Sequence, residues 1–336
     1  MRLLGLGFVV LLLIVSCAPK DPLVQDIDDA TGSGMRFLAR SYSGFSYDDE
    51  YLKFVYDDED LVCPVQGCTL TYRLMDGYFN VKFIEEVVDD VSPMGRQVSD
   101  ADAVLKGTIP LWNKEPIFNT IKGLQDPQQG IALDTYCILG MVYDDKSVAA
   151  HVREYVQDDL NIMPDDYHAV DVWRNIGDES WCVRLFLRTE KDKRFVESMV
   201  RRHLDEAYLF IDSGADDVDK VSVVYHTLYV VADARKYLKT DIYDKDIVYF
   251  SDFLSYFADK SFFSSVLMES NMLDVLLYAG FDNDALLEEM VTRILEAQGS
   301  DGRWRMSADA PENVADVFTT MRAVVAINEY KRVKLS

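Results

Sequence analysis

Two short stretches set carboxylates beside indole rings: Asp171-Val172-Trp173 and Asp178-Glu179-Ser180-Trp181. A glycan-active cleft uses that combination, because one carboxyl group protonates the glycosidic oxygen, a second acts as base or nucleophile, and a flat ring stacks on the sugar. Tyr225 and His226, within Val224-Tyr225-His226-Thr227-Leu228-Tyr229, add an imidazole among phenols. The competing reading makes Trp173 and Trp181 packing residues beside loop acids, and His226 a polar residue on an inner helix face. Paired carboxylates of a glycosidase come from different elements, so sequence spacing does not match them. An enzyme of this kind is expected to hold two of them about 5–10 Å apart at the floor of an aromatic-lined cleft. The chain has no G-x-S-x-G elbow, no phosphate-binding glycine loop and no G-x-G-x-x-G, and its histidines at 151, 168, 203 and 226 form no H-E-x-x-H pair. The acidic clusters Asp48-Asp49-Glu50, Asp57-Asp58-Glu59-Asp60, Asp144-Asp145, Asp158-Asp159, Asp165-Asp166 and Asp216-Asp217 lack the order of a calcium-binding EF-hand loop. They read as helix caps and solvated loop acids, with calcium as the alternative. On these residues no metal, no cofactor and no catalytic residue is assigned.

The elements that would carry such side chains are helices. In 193–212, Val196, Met199, Val200, His203, Leu204, Ala207, Tyr208 and Ile211 recur at helical spacing on one face. Leu286, Leu287, Met290, Val291, Ile294 and Leu295 repeat the pattern, as do Val314, Val317, Phe318, Met321, Val324 and Val325. Less regular runs fall near 24–41, 68–88, 115–124, 131–143, 146–158, 178–189, 218–238, 245–258 and 262–279. Strand-like alternation is short and scarce. The expectation is one all-α domain of about a dozen helices over 25–336, built from helical hairpins. His203, on an apolar face, is expected to be a hydrogen-bonded core histidine.

Composition bounds the partners. The chain has 336 residues, 49% of them apolar and 12% aromatic, with 34 Lys and Arg against 58 Asp and Glu for a net charge of −24. That is enough apolar material for a core and the wrong sign for phosphate backbones, so nucleic acid is not an expected partner. Residues 1–16 carry one charge, Arg2, and an apolar run from Leu3 to Val15, which is too short to span about 30 Å of hydrocarbon but suits a signal peptide.

The segment ends in Ile14-Val15-Ser16-Cys17, which resembles the lipobox of prokaryotic lipoproteins. The resemblance implies that Cys17 is lipidated, that 17–24 is a tether, and that the protein is held at the extracytoplasmic face of the cell membrane. Export places the other four cysteines in an oxidising compartment, where Cys63-Pro-Val-Gln-Gly-Cys68 suits a small disulfide-closed turn and Cys137 with Cys182 is the remaining pair. Half of a zinc site is the alternative for Cys63 and Cys68.

The stretch Gln298-Gly299-Ser300-Asp301-Gly302-Arg303-Trp304 resembles the Q-x-x-D-G-x-W repeat of the terpenoid cyclase and protein prenyltransferase superfamily. The resemblance implies an α/α toroid, two concentric rings of paired helices, in which Gln298 bonds amides at the next helix N-terminus, Gly302 permits a tight bend and Trp304 packs over it. It covers roughly 40 residues and concerns architecture. The superfamily's chemistry has no matching residues: Asp26-Ile27-Asp28-Asp29 agrees with the D-x-D-D acid motif in letters only, at the edge of the tether. No Asp-x-Cys zinc-ligand pair accompanies His226. The sequence thus implies a toroid that binds a glycan, a small molecule or an envelope protein, with an exported glycan-active hydrolase or lyase as the alternative and a structural scaffold as a third reading.

Overall fold

The computed structural model describes residues 21–47, 51–56, 59–64, 71–112, 136–158, 169–260, 265–306 and 314–336. The chain enters in α1, Pro22–Ser41, and then forms three strands, β1 Tyr42–Tyr47, β2 Tyr51–Tyr56 and β3 Glu59–Pro64. Eleven further α-helices follow among the described residues: α2 Thr71–Val87, α3 Gly95–Trp112, α4 at 136–142, α5 Lys146–Asp158, α6 Ala169–Thr189, α7 Lys193–Ile211, α8 Asp217–Leu238, α9 Asp244–Asp259, α10 Val266–Ala279, α11 Asp284–Glu296 and α12 Val314–Lys334, with one 3-10 turn, Ser92–Met94, ahead of α3. The fold is therefore α-helical, as the periodicity implies, apart from one small sheet.

That sheet is an antiparallel meander in the order β1-β2-β3, with Tyr47 opposite Leu52 and Tyr56 opposite Glu59. It packs beside α2 and α3. Helical patterning gave no sign of it, because each strand is only 6 residues long and the intervening acids resemble those of ordinary loops. α3 was also missing from the expected helices, although Val98, Ala101, Val104 and Leu105 are buried at helical spacing. The expected helix at 115–124 lies outside the described residues.

Burial sorts the helices into two kinds. α7 buries one stripe, Val196, Met199, Val200, His203, Leu204, Ala207 and Ile211, and exposes polar residues opposite. α8 is buried nearly all round, from Val221 through Val223, Val224, Thr227, Leu228, Val230 and Val231 to Ala234, so it must be enclosed by neighbours. α6 packs on α8, α8 on α10, α10 on α12, and α12 on α2. The intervening helices lie against these: α7 on α6 and α8, α9 on α8 and α10, α11 on α10 and α12, and α3 on α2. α1 returns to α12, so the first and last described helices are neighbours. One apolar cluster runs from Ile27 to Tyr330.

Local signals set the helix ends. Asp192, Asp216, Ser265 and Asn283 cap α7, α8, α10 and α11 by accepting from the amide three residues on. Asp145 Oδ1 accepts from the amides of Ser147 and Val148 at the start of α5. Members of two acidic clusters, Asp144-Asp145 and Asp216-Asp217, thus serve as the expected caps. A disulfide joins Cys137 in α4 to Cys182 in α6. The Cys63–Cys68 pairing lies outside the described residues, as do Cys17 and the rest of 1–20. None of the described helices is long and apolar enough to cross a membrane.

The turn after α11 carries the Q-x-x-D-G-x-W residues. Gln298 and Trp304 form an isolated antiparallel bridge, and the Gly299 amide donates to Arg303 O at 2.8 Å. Trp304 is fully buried, its indole N–H donating to Ile294 O at 2.6 Å and its amide to Thr320 Oγ1 at 3.0 Å. Among the described residues Gln298 bonds carbonyls, and not the helix amides expected of it. Its Nε2 donates to Ala30 O at 2.9 Å and to Gly302 O at 3.0 Å, which ties the turn to the middle of α1. Asp301 Oδ1 accepts from the Arg303 amide at 3.2 Å.

Candidate ligand-binding cavity

α2, α4, α6, α8, α10 and α12 all contribute side chains to one cavity of about 430 Å³, with Asp144 added from just beyond α4. Its apolar wall includes Phe83, Met141 and Val325, and its polar wall includes Arg184, Arg322, Asp274, Tyr229 and Tyr278. Helix spacing explains the recurrence: Trp181, Arg184 and Arg188 stand on one face of α6, and Arg322, Val325, Glu329 and Arg332 on one face of α12.

Most of the charged groups are cross-braced. Arg184 Nε donates to Asp233 Oδ2 at 2.7 Å, and Tyr278 donates its hydroxyl hydrogen to Asp233 Oδ1. Burial works against the Arg184 charge, but Asp233 and the phenols of Tyr278 and Tyr229 outweigh it and hold the guanidinium above its ordinary pKa. That guanidinium lies 4.3 Å from the Tyr229 ring centre and 4.7 Å from that of Trp181. Asp274 Oδ2 accepts from Tyr229 Oη at 2.6 Å and from Arg322 at 2.9 Å, and Arg322 Nε donates to Asn271 at 2.8 Å. Burial first, and then the Asp274 charge, push the Tyr229 phenol well above its ordinary range. The Tyr278 phenol is pushed up to about 12 by burial and Asp233. Burial raises the Glu86 pKa despite the nearby charges of Lys82 and Arg188. Two arginine and carboxylate networks, Arg184 with Asp233 buried and Arg322 with Asp274 half-buried, thus hold hydroxyls and guanidinium groups in place at the rim of open space.

Of the residues singled out from sequence, Trp181 lines this cavity. One side of its ring faces Arg184. Glu179, Tyr225 and His226 are not among the lining residues. Glu179 points away from the cavity toward Arg202 and Glu206, with Arg202 Nε 3.9 Å from Glu179 and 3.1 Å from Glu206. Its carboxyl pKa is raised, by burial first and then by the Glu206 charge. His226 Nδ1 lies 3.3 Å from Ser180 Oγ, and its ring meets the Trp181 ring at 77°. Burial pushes the His226 pKa down to about 3. Tyr225 packs edge-on against Tyr229. These residues stand behind the cavity wall. His203 is a core histidine as expected, fully buried with Nε2 3.3 Å from Thr227 Oγ1. The acids and rings at 171–181 sit within α6 instead of in a loop, and the side chains of Asp171, Trp173 and Asp178 lie outside the described residues. In the letter match to D-x-D-D, Asp28 pairs with Lys331 at 2.7 Å and does not line the cavity.

Sequence reading missed Arg184, Arg322, Asp274, Tyr278 and Glu86. A usable signal was present, in charged residues within otherwise apolar helices: Asp274 lies in Met272-Leu273-Asp274-Val275-Leu276-Leu277 and Arg184 in Cys182-Val183-Arg184-Leu185-Phe186. A charge is rarely enclosed in such a run without a partner. Among the described residues no three His, Cys, Asp or Glu side chains converge as metal donors. No family model and no curated protein matches this sequence.

Proposed function

We propose that this chain is a lipid-anchored extracytoplasmic α/α-toroid protein whose central cavity binds a small polar ligand. The observation that carries the reading is the cavity itself, lined from six alternate helices by braced arginines, carboxylates and phenols instead of being plugged by aliphatic side chains. A cavity of about 430 Å³ falls in the range that encloses small-molecule ligands. The toroid is supported by the alternation of enclosed and one-faced helices, by the return of α1 to α12, and by the Gln298–Trp304 turn. The anchor is supported by the Ile14-Val15-Ser16-Cys17 pattern after an apolar run. Calorimetric titration of the purified protein with a panel of mono- and oligosaccharides and small metabolites tests the binding role. One site per chain is expected, and the reading fails if no member of the panel binds.

A second reading is an exported glycan-active hydrolase or lyase. It draws on the contrast between Glu86, whose burial favours the protonated form, and Asp274, which accepts two hydrogen bonds in the same cavity. Release of new reducing ends from a polysaccharide, lost in Glu86→Gln, would favour it over binding alone.

A further inference from the structure

Among the four arginines of the cavity wall, three have a carboxylate of their own. Arg184 holds Asp233 at 2.7 Å, Arg322 holds Asp274 at 2.9 Å, and Arg332 Nε donates to Glu329 at 2.8 Å. Arg188 shares its carboxylate. It stands 3.7 Å from Asp233 Oδ2, an oxygen that already accepts from Arg184, while the other Asp233 oxygen accepts from Tyr278. Its Nε is buried and makes no hydrogen bond. The side chain as a whole is 22% exposed where it lines the cavity, so a guanidinium that only shares a carboxylate presents charge and donors to an anionic oxygen there. We propose that Arg188 anchors the carboxylate of a sugar bearing one acidic group, and that this is the class of ligand the cavity takes. The inference rests on reading the cavity as a binding site.

Three features of the wall favour this class. A planar carboxylate matches the guanidinium fork, and one guanidinium without a carboxylate of its own calls for a single charge. Glu86, Asp144, Asp274 and Glu329 share the wall, so a phosphate dianion would meet more repulsion than a carboxylate. The same carboxylates accept hydrogen bonds, and a sugar supplies several hydroxyl donors at once. The groups that act on Glu86, the acid facing Arg188, are Lys82, Arg188, Glu85 and Glu329. Glu86 has no ion pair with Arg188 among the described residues, so an incoming anion displaces no salt bridge between them.

The test is calorimetry on the full-length protein in detergent at neutral pH, using glucuronate and galacturonate, their neutral parents glucose and galactose, and glucose 6-phosphate. The acidic sugars are expected to bind at least about tenfold more tightly than the neutral parents, a difference that Arg188→Gln removes. Arg188→Lys, which keeps the charge without the fork, is expected to lose less. Arg153→Gln makes the same charge change at a residue that pairs with Glu190 and Asp192 outside the cavity, and is expected to leave binding unchanged. Thermal unfolding of each variant separates lost binding from lost folding. Neutral parents binding as tightly as the acids, an unaffected Arg188→Gln, or tighter binding of the phosphate would overturn the carboxylate assignment alone. No binding by any sugar would count against the cavity as a binding site.

Discussion

A side chain at position 302 would have nowhere to go. Gly302 has φ of 91°, and a Cβ there would stand 2.3 Å from Ser33 O. Gly302→Ala therefore combines left-handed backbone strain with a backbone clash across the contact between the turn and α1. A loss of about 2–4 kcal/mol in urea unfolding is expected, and a loss below about 1 would mean that the turn is not fixed against α1. His203 gives a prediction in pH. Burial lowers its pKa from 6.5 to about 4, so the unfolded chain takes up a proton before the folded one does. Stability is then fully present above pH 6.5 and falls as pH drops toward 4, by about 2 kcal/mol between pH 7 and 5. Glu179 runs the other way: its raised folded pKa gives a contribution present at low pH and lost as pH rises above the ordinary carboxylate value. Denaturation curves at the two pH values should show His203→Gln losing less stability on acidification than the parent chain. Residues of this kind were legible in the sequence, since a Gly between Asp and Arg marks a bend and a His on an apolar face marks the core. The partners were not, because Ser33 and Thr227 come from other elements.

At the scale of elements, the two kinds of helix explain what sequence pattern could and could not reveal. α7 and α11 each show one apolar stripe, and that stripe is the face they bury. α8, α10 and α12 are apolar on several sides, so periodicity marks them as helices without saying which side faces a neighbour and which faces the cavity. Arg184 and Asp274 could be picked out as charges within apolar runs, but their meeting at one cavity depends on how six helices are arranged, and no single helix encodes it. The sheet was hidden by its short strands. α4 is a two-turn helix, and its tie to α6 through Cys137 and Cys182 spans 45 residues of sequence. On the chain-entropy estimate that link contributes about 4 kcal/mol. The double variant Cys137→Ser, Cys182→Ser is expected to unfold at correspondingly lower urea concentration, and to weaken ligand binding because α4 supplies Met141 and Val142 to the cavity. An unchanged midpoint would show that packing alone holds α4 in place.

At the scale of the whole molecule, the acidity of the chain and the arginines of its cavity belong together. A net charge of −24 leaves the outer surface anionic, while the wall of the cavity gathers four guanidinium groups within reach of a ligand. Such a surface discourages non-specific anion binding and leaves the cavity as the favourable place for one. Lipidation at Cys17 would keep that cavity outside the cytoplasm. Metabolic labelling with a clickable fatty acid should mark the protein and vanish in Cys17→Ser, whereas persistent labelling would refute the anchor. The central claim is that the ligand lies in the cavity lined by six helices, and Val325 offers the most direct test of it. Val325 lines the cavity without holding any charged group in place, so Val325→Phe fills space and leaves the arginine networks intact. Titration calorimetry with whichever panel member binds the parent protein should show at least about a tenfold loss of affinity in Val325→Phe. Unaltered affinity in a variant that folds as the parent does would place the ligand elsewhere and contradict the account.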